Sequence, residues 1–431
     1  MLVANSGLGD ARVMKEAESL VAAGHAVTVF CLAGPGGAGN EHQEGVCYRR
    51  LPPWHRRWTG TQDVTVSGAE PLPRRHTIIS DIKGLFEPYL RHELLAATFA
   101  GPVAAAAPDL IHAHDFETLP AAVRAAARCG ARVVYDMHEL EEGRLPAASP
   151  LLAAWKTHLE TRALMQVSAT LTVSPSIARY KARKYNIPLP TVVLNAPRVP
   201  APGTPENNGR PGLRQRCGLA AEVPLAVYTG TVSPGRGVEQ LIDAFAITPA
   251  MHLAILGNVR AGLRPLLEAA RERLAGRLHV LAPVPHDDVV ADIASADLGV
   301  CTIPGTCLNY EYCLPNKLFE LTLAGLPVLV ANTTELSRFV AETGTGLTAN
   351  GFDPVDIARG LDAVYAARET LRPAPEALAA LRARYGWQRQ ADRLAEVYDA
   401  VARGPRGVPA AMAQRALATG LRPAGLAAYG G

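Results

Sequence analysis

The 431-residue chain has no Cys-x-x-Cys pair, no apolar run approaching the ~20 residues that a membrane span needs, and no internal repeat. Its seven cysteines (31, 47, 129, 217, 301, 307 and 313) read as reduced thiols, several packed as small hydrophobes in strand-like runs. Cys301, Cys307 and Cys313 are spaced too widely for a zinc knuckle. A secretory leader is also missing, because Met1-Leu2-Val3-Ala4-Asn5 runs straight into a charged helix, which predicts a cytoplasmic chain. That first strand is short, which points to a native start upstream of Met1. Net charge is only +3, and Arg403, Arg406, Arg415 and Arg422 lie in a tail with no acid after Asp399, leaving a slightly acidic body. Nucleic acid is not an expected partner.

What the chain does carry is length and alternation. At 431 residues it exceeds one ordinary domain, and short β-type runs alternate with helical periodicity twice over, as two doubly wound parallel sheets require. The first series predicts strands at 2–5, 26–31, 109–112, 132–135, 169–173 and 191–194. The second predicts strands at 225–228, 253–256, 279–281, 298–300 and 328–330, with closing helices near 355–367, 375–384 and 387–402. Prolines, glycines and asparagines between the two series read as a linker. The expected division is a domain over 1–195, a linker over 196–214, a second domain over 215–386, a last helix over 387–403 and a mobile tail over 404–431.

Pro315-Asn316-Lys317-Leu318-Phe319-Glu320, followed by Ala324-Gly325-Leu326-Pro327 and Val328-Leu329-Val330, reads as a helix opening on proline, closing on glycine and leading into a buried strand. Free N–H groups and the helix dipole favour an anion at such an end, and Lys317 adds a positive charge. Glu320, one turn on, can accept hydrogen bonds from vicinal hydroxyls, so a diphosphate with its ribose fits. A surface carboxylate is the competing reading of Glu320.

A second strand, glycine loop and helix start spans Tyr228-Thr229-Gly230-Thr231 to Arg236-Gly237-Val238, where Arg236 can pair with a diphosphate bidentately. Taken alone, such a loop is equally an ordinary tight connection. Ligands of open α/β sheets lie beyond the carboxyl ends of the strands, where both loops fall. In the first half, Ile111-His112-Ala113-His114-Asp115 and Asp136-Met137-His138-Glu139 end strands, which aims His114, His138 and Glu139 at one crevice; purely structural histidines are the alternative. Asn5-Ser6-Gly7-Leu8-Gly9-Asp10-Ala11-Arg12 reads as a strand, a loop and a helix capped near Asp10.

These motifs resemble glycosyltransferase family 4 (group 1) over about residues 1–402, most specifically over 298–330. The resemblance implies an α/β GT-B fold of two doubly wound Rossmann-like domains facing an interdomain cleft. It further implies a retaining glycosyltransferase that moves a sugar from a nucleotide-diphosphate donor to an acceptor hydroxyl, without cofactor or metal. Donor contacts are implied at Gly9, Gly230, Thr231, Arg236, Lys317, Leu318 and Glu320, with His114 catalytic and close to the donor sugar. Contacts to the donor sugar or acceptor are implied at Asp10, His138, Glu139, Glu311 and Tyr312. The chain departs from the family in two places. Thr231 stands where a basic residue is common, and eight positions before Glu320 comes Tyr312 in place of the family's first glutamate, with Glu311 beside it.

The partners implied are a nucleotide sugar and an acceptor that is a glycan, a lipid-linked oligosaccharide or a small-molecule hydroxyl. Arg49-Arg50-Leu51-Pro52-Pro53-Trp54-His55-Arg56-Arg57-Trp58, with Arg74-Arg75, fits a solvated loop, an anionic acceptor, or weak peripheral contact with the inner membrane face. Two rival functions stay open: a nucleotide-sugar 2-epimerase using Asp115, Asp136 and Glu139 as acids and bases, and a catalytically weak binding partner of a glycosyltransferase, suggested by Thr231 and Tyr312.

Overall fold

The structure, a computed structural model, describes residues 1–7, 9–34, 37–52, 78–145, 148–199 and 210–404, with only the backbone at 78–85. Trp54, His55, Arg56, Arg57, Trp58, Arg74, Arg75 and the tail beyond 404 lie outside the described residues. The described residues divide into two units, one holding those up to Val193 together with 391–404, the other Leu194–Gln390.

The first unit has strands β1 (Thr28–Leu32), β2 (Gly39–Gln43), β3 (Val46–Leu51), β4 (Leu110–His114), β5 (Arg132–Met137), β6 (Ala169–Thr172) and β7 (Thr191–Val192). They run in the orders β1-β3-β2 and β4-β5-β6-β7. Leu2 stitches the two groups together by bridging Phe30 and Ala113, its N–H donating to the His112 carbonyl at 2.8 Å. All pairs are parallel except β2 with β3, whose hairpin turns through Glu44 and Gly45 at φ 49° and 76°, the backbone that a two-residue turn demands. Helices Ile78–Ala105 and Asp115–Cys129 bring Leu95, Phe99 and Leu119 into one core cluster with Ile111 and Tyr135. A separate cluster joins Leu20, Val134, Leu171 and Val193 to Leu394, Tyr398 and Val401 of the final helix, Trp387–Arg403.

The second unit is a six-stranded parallel sheet of β8 (Leu225–Thr229), β9 (His252–Leu256), β10 (Leu278–Leu281), β11 (Leu298–Cys301), β12 (Val328–Val330) and β13 (Gly346–Thr348). Its order is β10-β9-β8-β11-β12-β13. Every position of β8, β11 and β12 is buried, as strands covered on both faces require. Chain order reverses between β8 and β11, and in the first unit it reverses on either side of Leu2, next to β4. Doubly wound sheets open a crevice at the carboxyl ends of such strands, which here end in Thr229, Cys301 and His114.

Local sequence explains the helix starts that flank these crevices. The Asp10 carboxylate accepts the Val13 N–H at 3.3 Å and so caps helix Ala11–Ala22. Ser174 accepts the Ile177 N–H at 3.2 Å with Pro175 next to it, and Asn186 in the left-handed region ends that helix. Pro315 precedes helix Asn316–Leu323, and Gly325 at φ 80° turns the chain toward β12. All seven cysteines are free, and among the described residues no helix is long and apolar enough to cross a membrane.

Candidate functional site

In the second unit three of the residues predicted to grip a donor, Gly230, Lys317 and Glu320, gather at the switch point. Lys317 is 5% exposed, and its ammonium lies 3.3 Å from the centre of the Tyr228 ring with no hydrogen-bond partner among the described residues. Burial, helped by the nearby charge of Arg236, lowers its pKa to about 7, against smaller pulls from Cys301 and Glu320. A cation face-on to an aromatic ring is attracted to it, yet the ring gives none of the three hydrogen bonds that an ammonium can make. Gly230, at φ 92°, sits so close that a Cβ there would be 3.9 Å from the Lys317 Cε. Glu320 accepts the Thr229 hydroxyl at 2.7 Å, which fixes its carboxylate over the end of β8. The buried hydroxyls of Thr302, just after β11, and Thr333, after β12, also lack partners among the described residues.

The remaining donor-side candidates are placed differently. Arg236 is half-buried and Thr231 exposed. Leu318 is wholly buried and its N–H is already given to the Pro315 carbonyl at 3.0 Å. Glu311 accepts the Thr334 N–H at 2.8 Å and the Thr334 hydroxyl at 2.5 Å, so its carboxylate caps helix Thr334–Thr343. Tyr312 closes the short helix Leu308–Glu311. Gly237 holds the loop shut: at φ 77° its Cβ would stand 2.3 Å from the Thr302 carbonyl oxygen. We expect Gly237→Ala to cost at least about 1–2 kcal/mol from the left-handed backbone alone. Chemical denaturation measures this, and an unchanged midpoint would refute the expectation.

In the first unit, His114 is 1% exposed at the end of β4. Its Nδ1 lies 3.1 Å from His138 Nε2, and its Nε2 has no partner among the described residues. Burial holds its pKa well below the ordinary histidine value, with His112 adding to the shift. His138 goes the other way: burial opposes its charge, but Asp115 and Asp136 outweigh burial and raise its pKa well above 6.5. Asp136 is itself gripped by Arg12, whose Nε and Nη2 donate to its two oxygens at 2.8 and 3.0 Å. Nη1 of Arg12 donates to the Val193 carbonyl at 2.8 Å. His112 Nδ1 lies 2.8 Å from the Tyr398 hydroxyl. Glu139 pairs with Arg144 at 2.7 Å, and Gly9, at φ 75°, is exposed beside the Asp10 cap.

Arg12, Glu16 and Tyr398 were not among the predicted site residues. The Arg12–Asp136 pair joins positions 124 residues apart, and nothing local in the helix, whose buried residues also include Lys15 and Glu16, singles Arg12 out. Glu16, His112, His114 and Asp136 also bring four ligand atoms within 4.8 Å of one another, a spacing that suits a metal ion. The Arg12 guanidinium occupies both Asp136 oxygens and approaches Glu16 at 3.0 Å, so this cluster already contains its cation. A cavity of about 710 Å³, lined by Met1, Thr28, Leu110 and Arg132, lies at the amino-terminal ends of the strands, away from the ends that carry the candidates.

Comparison with known proteins gives these two crevices a family. The glycosyl transferase 4-like domain matches residues 9–197 and the glycosyl transferases group 1 domain residues 223–367. The D-inositol 3-phosphate glycosyltransferase of Nocardia farcinica is 30% identical over 217 residues, 47% of each chain. That of Streptomyces scabiei is 26% identical over 365 residues, 80% of this chain and 81% of its own. Sucrose-phosphate synthase from Thermosynechococcus elongatus superposes with a TM-score of 0.68 at 17% identity, covering 92% of this chain and 97% of that one. Alr3699/HepE of Anabaena, solved in complex with UDP-glucose, superposes with a TM-score of 0.61 at 17% identity, covering 92% and 98%. Two Rossmann-like units in this order, matched by both domain families, identify the chain as an enzyme of glycosyl transfer: it belongs to the group 1, family 4 glycosyltransferases of GT-B fold.

Proposed function

We propose that the donor is a nucleoside-diphosphate sugar whose diphosphate sits at the switch point of the second unit, and that the sugar passes to an acceptor hydroxyl with retention of anomeric configuration. The observation that carries this is the Lys317 ammonium: buried, without a hydrogen-bond partner among the described residues, and set at the start of a helix whose dipole also favours an anion. An unpaired buried charge is costly, and a diphosphate removes the cost. Among the described residues Arg236 makes no hydrogen bond or ion pair either, so two cations await the same ligand. Glu320, already oriented by Thr229, offers its other oxygen to the ribose hydroxyls. The UDP-glucose in the Anabaena relative supports the same ligand class.

In the step itself, the bond from the anomeric carbon to the diphosphate breaks, and the acceptor oxygen bonds to that carbon on the same face. The acceptor's proton passes to the leaving phosphate oxygen. Negative charge grows on the diphosphate, so Lys317, Arg236 and the helix start stabilise the transition state more than the ground state. His114, at a strand end of the first unit, supplies a hydrogen bond to a sugar hydroxyl. The 2-epimerase reading fits less well, because Asp136 and Glu139 are committed to Arg12 and Arg144.

Incubating the chain with radiolabelled nucleotide sugars and candidate acceptors tests this. A labelled glycoside of unchanged anomeric configuration is expected, and an isomerised donor without glycoside would overturn the reading. Glu320→Ala is expected to weaken UDP-glucose binding by about 10- to 100-fold, the worth of hydrogen bonds to a charged group. Calorimetric titration of both proteins gives the ratio, and equal affinities would remove Glu320 from the site.

A further inference from the structure

We infer that His138, clamped between the Asp115 and Asp136 carboxylates, is a positioning residue that fixes His114 as a neutral imidazole with its single proton on Nε2. The strand-end histidine then offers a sugar oxygen a hydrogen-bond donor and not a base. Only that last step, the sugar oxygen, rests on the function proposed above.

The assignment follows from which atoms can donate. His138 Nε2 lies 2.9 Å from Asp136 Oδ2 and 3.1 Å from His114 Nδ1. Its Nδ1 lies 3.3 Å from Asp115 Oδ2, and its backbone N–H donates to Asp115 Oδ1 at 3.1 Å. Arg12 grips both Asp136 oxygens and keeps that group a carboxylate. Carboxylates only accept, so each ring nitrogen of His138 must carry a hydrogen. An imidazolium in turn only donates. The His114 Nδ1 beside it must therefore be the nitrogen with the lone pair, and the His114 proton belongs on Nε2. The other tautomer would aim an Nδ1 hydrogen at Asp136 Oδ2, which is 3.6 Å away and too far for a hydrogen bond.

The surrounding charges agree. His112 stacks on His114 with ring centres 4.3 Å apart, and the Arg12 cation and the His138 imidazolium lie beyond, so a second proton on His114 would place like charges side by side. Glu16, the remaining acid of the cluster, faces Arg12 at 3.0 Å and His112 at 3.6 Å. The backbone also bears the mark of this arrangement. Asp115 holds φ 62°, a left-handed conformation that a non-glycine residue adopts at a cost, and from there its carboxylate reaches both the ring and the backbone of His138.

Nuclear magnetic resonance of the full chain labelled with ¹⁵N-histidine reads the protons directly, with assignments from His114→Gln and His138→Gln. At neutral pH both His138 nitrogens should carry hydrogen, and His114 should show a bare Nδ1 and a protonated Nε2. A neutral His138, or a His114 proton on Nδ1, overturns the inference. His138→Gln, whose amide can still donate to Nδ1, should keep the His114 tautomer, whereas His138→Leu should give a mixture; a His114 unchanged in His138→Leu also overturns it. Should the leucine variant fail to fold, the wild-type spectrum still decides. Predicted protons together with no transfer from any nucleotide sugar would refute the proposed function and leave the tautomer standing.

Discussion

Replacing Arg12 by alanine is expected to destabilise the first unit by about 3–5 kcal/mol, the range found when one partner of a buried ion pair is removed. Arg12 is 2% exposed and donates to Asp136 through two nitrogens and to the Val193 carbonyl through a third. Without it Asp136, which is fully buried, keeps only the histidines, and the Val193 carbonyl loses that donor. A loss of that size lowers a melting temperature by about 10 °C in a unit of 150–250 residues. Arg12→Lys should recover only part, since one ammonium cannot reproduce the planar fork. Thermal unfolding checks both, and a melting temperature within a degree or two of wild type would sink the argument.

Glu16 supplies a contrasting control. Arg12 Nε comes within 3.0 Å of it but is aligned on Asp136, so neither Glu16 oxygen gains a well-aligned hydrogen bond from the described residues. Burial therefore prevails over the arginine and raises its pKa from 4.5 to about 8. Between those values the folded state binds the proton more tightly than the unfolded state, so this residue's contribution to stability falls as pH rises through that window. Glu16→Gln should flatten the slope there and change little below it.

Lys317→Met should do two opposite things. Donor affinity should fall on the order of 100-fold, as expected when one partner of a buried charged contact is truncated. The free protein should melt at the same temperature or higher, because the variant no longer buries an unpaired cation. The pH dependence has a definite sign. With the folded pKa lowered to about 7 from 10.5, the unfolded state binds more protons between those values, so the free enzyme's stability from this residue rises with pH across that window. The variant should lose that slope. Calorimetric titration with UDP-glucose and a melting series in pH test both halves, and a less stable variant with unaltered affinity would contradict the site.

The placement of the side proposed for the donor was largely legible because its signals are local. Pro315, Lys317, Glu320 and Gly325 occupy one helix and its ends, and Gly230 and Arg236 one loop, so spacing alone places them. The histidine side was legible only as strand ends. That His138 sits between two acids, and that Arg12 holds the nearer one, depends on strands and helices far apart in the chain meeting at one end of a sheet. Among the elements that escaped, two show other reasons. Gly39–Gln43 is exposed at all five positions and so lacks the alternation of a half-buried strand. Helix Ile78–Ala105 contains Pro88 and Pro102, which read as breaks. Glu311 looked available for a donor sugar, and nothing near it in sequence announced that Thr334, 23 residues on, would take its carboxylate.

The final helix sets a limit on the order of synthesis. Leu394, Tyr398 and Val401 complete an apolar cluster whose other members, Leu20, Val134, Leu171 and Val193, leave the ribosome about two hundred residues or more earlier. At 5–20 residues per second, that patch stays uncovered for about ten seconds or longer while the rest of the polypeptide is made. The amino-terminal half thus lacks one wall of this cluster until the last turns emerge, and a ribosome stalled before Leu394 leaves it unfinished.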